Sequence, residues 1–206
     1  MVLKKLIKSG KVHPIQQALR KGQVSQEIGR SVVSILVFSL QAIPIPWLIR
    51  QGYVAIAFDN AWNCLWEIPV LFLWNEAHFY AVHWLLHRKW FFKHVHYAHH
   101  QSKEPTVFSV FSFHWIEAFL LGTVIFVPLA VHHFHILSLL SLPVMSIILN
   151  LIGHCNHEFD TGKDHEHVAR FTFRHTMHHK WSRGNFGFML PFFDHLFKTA
   201  LPKDKN

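Results

Sequence analysis

Four long apolar runs constrain the fold of this 206-residue chain more than any other feature of its sequence. The runs cover residues 31–49, about 61–74, 115–131 and 134–152. A helix that crosses the hydrocarbon core of a bilayer needs about 20 apolar residues, and the runs approach that length. The sequence therefore predicts an all-α membrane protein with about four transmembrane helices, the last two forming a hairpin around His132 and His133.

Two of these runs contain residues that should disturb a membrane helix. Pro44 and Pro46 lie near the end of the first run, and proline removes a backbone donor, so we expect them to kink or end the helix. Glu67 lies in the second run. A carboxylate is costly in lipid, and we expect Glu67 to face the protein interior or to lie near the membrane interface.

Basic residues lie on one side of the four predicted spans. They precede the first span and follow the second and the fourth, whereas the turn between the third and fourth carries none. Lys and Arg mark the cytoplasmic side of a membrane protein, so the net charge of +8 indicates a membrane topology and no nucleic-acid partner. We expect a cytoplasmic helical cap and both termini on that side, at the endoplasmic reticulum in a eukaryote or the inner membrane in a bacterium.

The beginning of the chain and its cysteines set further limits. Residues 1–30 are basic and polar without the apolar run of a cleaved signal peptide. We expect a basic N-terminal segment over residues 1–30 and one membrane-embedded domain over residues 31–206. Cys64 and Cys155 are the only cysteines, which excludes a disulfide framework and a thiolate metal site.

Histidine is unusually abundant, with 20 residues, and half of them fall into groups with metal-ligand spacing. Residues three and four apart share one face of a helix, so each group could direct its imidazoles together. The four-span topology brings every such group to the cytoplasmic side. The groups are His83/His87, His96/His99/His100, His154/His157 and His175/His178/His179.

These groups supply about nine or ten ligands, which is enough for two metal ions. Imidazole suits zinc, copper, iron and nickel. An all-nitrogen site for two metals beside apolar spans suggests iron chemistry with O2 on a lipid-soluble substrate, although zinc can replace iron(II) in isolated protein because its intrinsic affinity is higher. We expect His78 to lie close to this site without binding metal, and the other histidines to be bystanders: His13, His94, His132, His133, His135, His165, His167 and His195.

Five sequence motifs give these groups a recognisable order. They read EAHFYAVHWLLH from Glu76, HYAHH from His96, SFHWIE from Ser112, GHCNHEF from Gly153 and RHTMHHKWSRGNFGFMLPFFDHLFKT from Arg174. Over about residues 75–202 the chain resembles the fatty acid hydroxylase / sterol desaturase superfamily of integral-membrane non-haem di-iron oxygenases. It departs from the family pattern at Trp84, where Arg is usual, at Phe193, where Trp is usual, and at His157, where Tyr is usual.

The resemblance implies an enzyme that hydroxylates or desaturates a C–H bond of a lipid (a sterol, a fatty acyl chain or a related molecule). It implies two iron ions, O2 and an electron-donor protein, which would be cytochrome b5-like, a ferredoxin or a reductase. His114 and Glu117 would support the site, and Asn185 and Asp194 would fix the C-terminal segment against it. The implied metal ligands are His83, His87, His96, His99, His100, His154, His157, His175, His178 and His179.

One alternative belongs to another class of protein, and a second is another kind of hydroxylase. A membrane metal transporter or metal-binding protein would also be rich in histidine, but its ligands should lie along a path through the spans. A carotenoid-type hydroxylase has a similar histidine content. The SFHWIE and GHCNHEF motifs favour the sterol desaturase branch over it.

Overall fold

The computed structural model describes residues 12–14, 19–155, 157–159, 164 and 166–202, and most of these residues are helical. One short antiparallel pairing joins β1 (Val12–Pro14) to β2 (His157–Phe159). The predicted α-helical class is therefore confirmed with this small addition. Half of the predicted basic segment, including Lys4, Lys5, Lys8 and Lys11, lies outside the described residues, as do Lys163 and His165.

The first apolar run forms two helices in succession, α1 (Gln23–Ala42) and α2 (Pro44–Arg50). The break falls at Pro44, which has no N–H to donate into the preceding turn, as the sequence predicted. Taken together, Gln23–Arg50 is one of two helical segments in the described chain that are long and apolar enough to cross a membrane. The other is Ile136–Gly153.

The remaining runs form α3 (Cys64–Leu86), which follows a 3₁₀ turn at Ala61–Asn63, and a broken third helix. The broken helix consists of α6 (Trp115–Gly122), a 3₁₀ turn (Thr123–Ile125) and α7 (Phe126–Val131), and it leads into α8 (Ile136–Gly153). Helix α3 packs against α8, and α1 packs against α6. Buried apolar side chains around Leu71 and Leu142 form the core near the N-terminal half of α3.

Glu67 lies in this first half of α3 and is completely buried. Its carboxylate accepts a hydrogen bond from the His135 backbone N–H at 2.9 Å and lies 3.2 Å from His132 Nε2. Glu67 therefore faces the protein interior, where it holds the turn between α7 and α8. That turn lies at the opposite end of α3 from His83, so His132 and His135 are remote from the predicted metal ligands.

The polar segment after α3 forms three short helical pieces, α4 (Lys89–Phe91), a π-helix (Phe92–His96) and α5 (Tyr97–His100). Arg88 is extended, with φ −67° and ψ 140°, and turns the chain away from α3. A π-helix widens the helical turn and is frequent at functional sites. The C-terminal part contains a 3₁₀ turn (Val168–Arg170), α9 (Phe171–Trp181) and α10 (Phe192–Leu196).

The N-terminal turns of α1 are attached to the loop that follows α5. Glu27 is buried, and its carboxylate accepts hydrogen bonds from Gln23 Nε2 at 2.8 Å, Ser102 Oγ at 2.6 Å and Thr106 Oγ1 at 2.5 Å. Arg30 donates to the Ala98 carbonyl at 2.5 Å. Helix α1 thus begins within the predicted basic segment rather than at Ser31, and its first turns hold the chain around the second histidine group.

We expect Glu27→Ala to lower the free energy of unfolding by about 2–4 kcal/mol, because two buried donors, Gln23 and Ser102, and the partly buried Thr106 would lose their common acceptor. Thermal unfolding in detergent, followed by tryptophan fluorescence, measures the effect. Asp59→Ala removes an exposed carboxylate and is the matched control. Equal midpoints for the two variants would show that the Glu27 contacts contribute no net stability.

Candidate metal centre

Nine of the ten predicted ligands meet in two adjacent groups inside the protein. Within each group, the candidate ligand atoms all lie within 4.8 Å of one another. All of these side chains are buried except that of His87, which is partly exposed. We name the groups cluster 1 (His83, His87, His96, His100 and His178) and cluster 2 (His99, His154, His175 and His179).

The two H-x2-H-H motifs divide between the clusters in opposite senses. His96 and His100, one helical turn apart, belong to cluster 1, while His99 between them points to cluster 2. In α9, His175 and His179 belong to cluster 2, and His178 points to cluster 1. Each motif therefore gives a pair to one cluster and a single ligand to the other, which joins the two clusters into one centre.

Backbone carbonyls orient several of the imidazoles. His83 Nδ1 donates to the Phe186 carbonyl at 2.8 Å, and His178 Nδ1 donates to the Gly184 carbonyl at 2.6 Å. His154 Nδ1 donates to the Asn150 carbonyl at 2.9 Å. A carbonyl oxygen only accepts, so Nδ1 carries the proton in each ring and Nε2 is left with its lone pair directed into the cluster.

The inward nitrogens lie as close together as ligands of one ion. His83 Nε2 lies 3.1 Å from His96 Nε2, which in turn lies 3.0 Å from His100 Nε2. His175 Nε2 lies 3.1 Å from His154 Nε2 in cluster 2. Two nitrogens bound at right angles to one ion, each at about 2.1 Å, lie about 3.0 Å apart. The spacing therefore fits a metal ion in each cluster.

The protonation states of the rings support the same fit. Burial lowers the pKa of His154 and of His178 to about 4, so both imidazoles are neutral near pH 7. His96 Nδ1 donates to Glu117, so the lone pairs of His83 and His96 face each other at 3.1 Å. Two opposed lone pairs repel each other unless a cation lies between them.

Glu117 is the nearest carboxylate partner of these rings. Its Oε1 lies 2.8 Å from His96 Nδ1, and both side chains are buried. A carboxylate on the outer nitrogen of a metal-bound imidazole fixes the tautomer and strengthens the ligand. His114 caps α6, where its Nδ1 accepts from the Ile116 N–H at 3.3 Å, and so it holds the first turn that carries Glu117.

The C-terminal segment is tied to the centre through Asp194 and Asn185, as the motif comparison implied. The Asp194 carboxylate accepts from the backbone N–H groups of Phe186 and Gly187, each at 2.7 Å. Asn185 has a positive φ of 51° and accepts from the Leu201 N–H at 2.8 Å. These contacts fix the chain whose carbonyl oxygens, at Gly184 and Phe186, orient His178 and His83.

Two residues that help to hold the metal centre in place, Glu76 and Ser182, were not predicted from the sequence. The Glu76 carboxylate accepts from the backbone N–H groups of Met189 and Leu190, at 3.1 and 2.7 Å, and thus joins α3 to the C-terminal segment. Ser182 Oγ lies 3.1 Å from His100 Nδ1. The position of Glu76 in the first motif was a signal that could have identified it, whereas nothing in the spacing pointed to Ser182.

His157, the tenth predicted ligand, lies outside both clusters. Its Nδ1 lies 2.7 Å from the Cys155 carbonyl. Helix α8 ends at Gly153 and His157 begins β2, so the helical relation that would place it beside His154 does not extend across this boundary. The structure therefore gathers nine of the nine or ten predicted ligands and leaves His157 outside them.

His78, His94 and Trp84, which were also singled out in the sequence, belong to neither cluster. His78 Nε2 is 3.0 Å from Thr123 Oγ1, at the wall of a cavity between the helices. His94 is exposed beside the Trp90 carbonyl. Trp84, the departure from the family pattern, is 40% exposed, and the Arg88 guanidinium lies 3.3 Å above its ring.

That cavity lies beside the centre. It has a volume of about 620 Å³ and is lined mainly by apolar side chains of α1, α3, α6, α7 and α8. Phe79, Phe113, Leu121 and Asn150 line both this cavity and a much smaller pocket bounded by cluster histidines, including His83, His99 and His154. These four shared residues form a neck that separates the apolar cavity from the centre.

We expect His99→Ala and His178→Ala each to reduce the bound metal from about two ions per chain towards one, because each variant removes a ligand from a different cluster. Metal analysis of the purified protein by mass spectrometry measures this ratio. His157→Ala is the matched control and should retain both ions. Equal metal loss in all three variants would contradict the assignment of His157 outside the centre.

Glu117→Ala should weaken metal retention by about 10- to 100-fold although all nine histidines remain, because His96 would lose its carboxylate partner. Release of metal to a chelator, followed over time, measures this change. Glu104→Ala removes a carboxylate away from the clusters and should behave as the wild type. A normal release rate in Glu117→Ala would exclude a role for Glu117 in holding the metal.

Comparison with known proteins identifies the family to which the chain belongs. The fatty acid hydroxylase family model matches residues 68–199. Lathosterol oxidase of Rattus norvegicus is 33% identical over 106 residues, covering 48% of this chain and 36% of that protein. A Delta(7)-sterol 5(6)-desaturase of Candida albicans is 27% identical over 185 residues, covering 85% of this chain and 46% of that protein.

More distant similarity extends to other lipid enzymes. A C-4 methylsterol oxidase of Schizosaccharomyces pombe is 24% identical over 160 residues, covering 70% of this chain and 50% of that protein. The chain spans half the length or less of these curated relatives. No solved structure matches the chain. The family model includes all nine clustered histidines, and the chain belongs to the fatty acid hydroxylase / sterol desaturase superfamily.

Proposed function

We propose that this protein is a membrane di-iron oxygenase that uses O2 and electrons from an external donor to hydroxylate or desaturate a C–H bond of a lipid. The observation that carries the proposal is the apolar cavity of about 620 Å³ that adjoins the two histidine clusters. Cavities of about 300–1,000 Å³ bury most of a small ligand. A sterol, a fatty acyl chain or a related lipid fits the apolar lining.

Two iron ions, held by cluster 1 and cluster 2, would supply the activation of O2. The protein holds the nine imidazoles neutral and turns their free nitrogens inward, by burial and by the carbonyl partners of His83, His154 and His178. Glu117 holds His96 in the same way. Zinc can occupy the same nitrogens in isolated protein, since its intrinsic affinity exceeds that of iron(II).

The chain's own residues would also position the substrate. The neck formed by Phe79, Phe113, Leu121 and Asn150 lies where a lipid in the cavity comes closest to the clusters. Aromatic and aliphatic side chains there exclude water and leave the reacting carbon near the metal-binding nitrogens. Hydroxylation and desaturation both begin by breaking a C–H bond at this position. The proposed site therefore suits either reaction.

The membrane arrangement supports a lipid substrate. Many apolar side chains of α1 are exposed, including Leu36 at 59% and Leu40 at 64%, which is unfavourable in water and expected in lipid. Helix α3 has 23 residues and is about 34 Å long, enough to cross a bilayer. We propose four spans, with the clusters and both termini on the cytoplasmic side where the basic residues lie.

The relatives support oxidation of a lipid as the reaction class. Their names describe oxidation of lathosterol, desaturation of Delta(7)-sterols and oxidation of C-4 methylsterols. These substrates are all apolar molecules with unactivated C–H bonds. An oxidoreductase of lipid metabolism is thus the function that we infer for this chain.

A metal transporter or metal-binding protein is the alternative. Its ligands should be distributed along a path through the spans. The nine clustered histidines lie instead at one end of α3 and α8 and in the segments that follow them. At the other end, His132 Nε2 lies 3.2 Å from Glu67, while His135 Nδ1 lies 3.4 Å from Cys64 Sγ and 3.3 Å from the Leu137 backbone nitrogen.

Mass spectrometry of lipids from cells that express the protein tests the proposal. The wild type should produce a lipid that has gained one oxygen or lost two hydrogens, and His157→Ala should produce it as well. His99→Ala should lower the amount of this product by at least about tenfold, because cluster 2 would lose a ligand. No lipid change with the wild type, together with altered cellular metal uptake, would favour transport instead.

A further inference from the structure

His87 is the point at which the buried centre comes closest to solvent. It is the one partly exposed side chain among the nine clustered histidines. Its ring packs against those of Phe92 and Phe186, with centroid separations of 5.2 and 4.7 Å. Its buried Nε2 has no hydrogen-bond partner among the described residues, which leaves this nitrogen free for a metal in cluster 1.

Exposed basic residues adjoin, along the chain, the residues that form this edge. Arg88 follows His87 directly, Lys93 follows Phe92, and Arg183 follows Ser182, whose hydroxyl contacts His100. Lys89 is also exposed. Residues 87–103 and residues 167–193, the two stretches that carry these basic side chains, contain no Asp or Glu. The charged side chains that these stretches place next to His87 and Ser182 are therefore all basic.

We propose that this basic surface, formed by Arg88, Lys89, Lys93 and Arg183, docks a small one-electron carrier protein with an acidic face, and that electrons enter the centre beside His87. The inference rests on the proposed oxygenase function. Electron transfer slows steeply with distance, so a carrier must approach where the least protein covers the metal site. Charge complementarity would steer an acidic partner to this point.

The electron balance requires such a partner. Hydroxylation uses one O2, two electrons and two protons, and gives the alcohol and one water. Desaturation with the same inputs gives the alkene and two waters. In either case two reduced carriers each lose one electron to the centre and leave oxidised, while the substrate supplies the other two electrons that O2 accepts.

An exposed aromatic side chain makes the surface more typical of a protein interface. Trp90, between Lys89 and Lys93, is 60% exposed. Tryptophan and arginine are enriched where protein interfaces bind most strongly. Anionic lipid headgroups would also be attracted to the basic residues, but attraction to lipid does not require a position beside the one exposed ligand of the centre.

Binding of two acidic electron carriers tests the proposal. The probes are the soluble haem domain of cytochrome b5 and a [2Fe–2S] ferredoxin, each added to the full chain in nanodiscs of zwitterionic phosphatidylcholine. We expect Lys89→Glu and Arg183→Glu to weaken the binding of at least one probe by about 3- to 10-fold at low salt. The difference should shrink towards 1 M salt, where the screening length falls to about 3 Å.

Lys103→Glu is the matched control, because Lys103 is exposed and basic but follows Ser102 on the side of the loop attached to α1. It changes the net charge equally and should bind both probes as the wild type does. In stopped-flow measurements, reoxidation of the reduced probe should slow in Lys89→Glu, whereas reduction by dithionite should proceed at the wild-type rate.

Three results would overturn the proposal. The first is that neither probe binds to the wild type, and the second is that Lys89→Glu and Lys103→Glu bind the probes equally well. The third is that Lys89→Glu loses binding to phosphatidylserine vesicles while its binding of the carriers is unchanged. The last would assign the surface to anionic lipid. Failure of the oxygenase function itself would be distinguishable, because wild-type protein given dithionite and O2 would then form no oxidised lipid.

Discussion

The convergence of nine neutral imidazoles on two points inside the protein is the constraint on which the rest of the structure depends. Each ring must be buried, uncharged and turned so that a free nitrogen faces its neighbours. Carbonyl groups from distant parts of the chain set three of these orientations, at Asn150, Gly184 and Phe186. The C-terminal segment is folded back by Asp194 and Glu76 so that two of those carbonyls reach the centre.

Four buried carboxylates join elements that are far apart in sequence. Glu27 joins α1 to the loop after α5, Glu67 holds the turn before α8, Glu76 joins α3 to the C-terminal segment, and Glu117 holds His96. A buried carboxylate is costly unless its oxygens are hydrogen-bonded, so each favours one arrangement of its partners. Together they hold polar, ligand-bearing segments in place at the end of an apolar helical assembly.

Much of this centre could be predicted from spacing and topology. Histidines three and four apart, such as His83 and His87, do share a face, and the apolar runs do place the histidine groups at one end of the helices. The same logic does not extend to His157, because the helix that carries His154 ends at Gly153 and His157 lies in β2. It also treated each H-x2-H-H motif as one unit, whereas His99 and His178 each cross to the other cluster.

The sequence by itself determined the helical class, the break at Pro44, the family and the residues from which a metal centre could be built, because periodicity, proline chemistry and ligand spacing are local properties. Only the tertiary structure decided how nine imidazoles divide into five and four. It alone placed Ser182 against His100 and left His87 partly exposed. Those outcomes depend on where separate helices end and how they pack, and no short stretch of sequence contains that information.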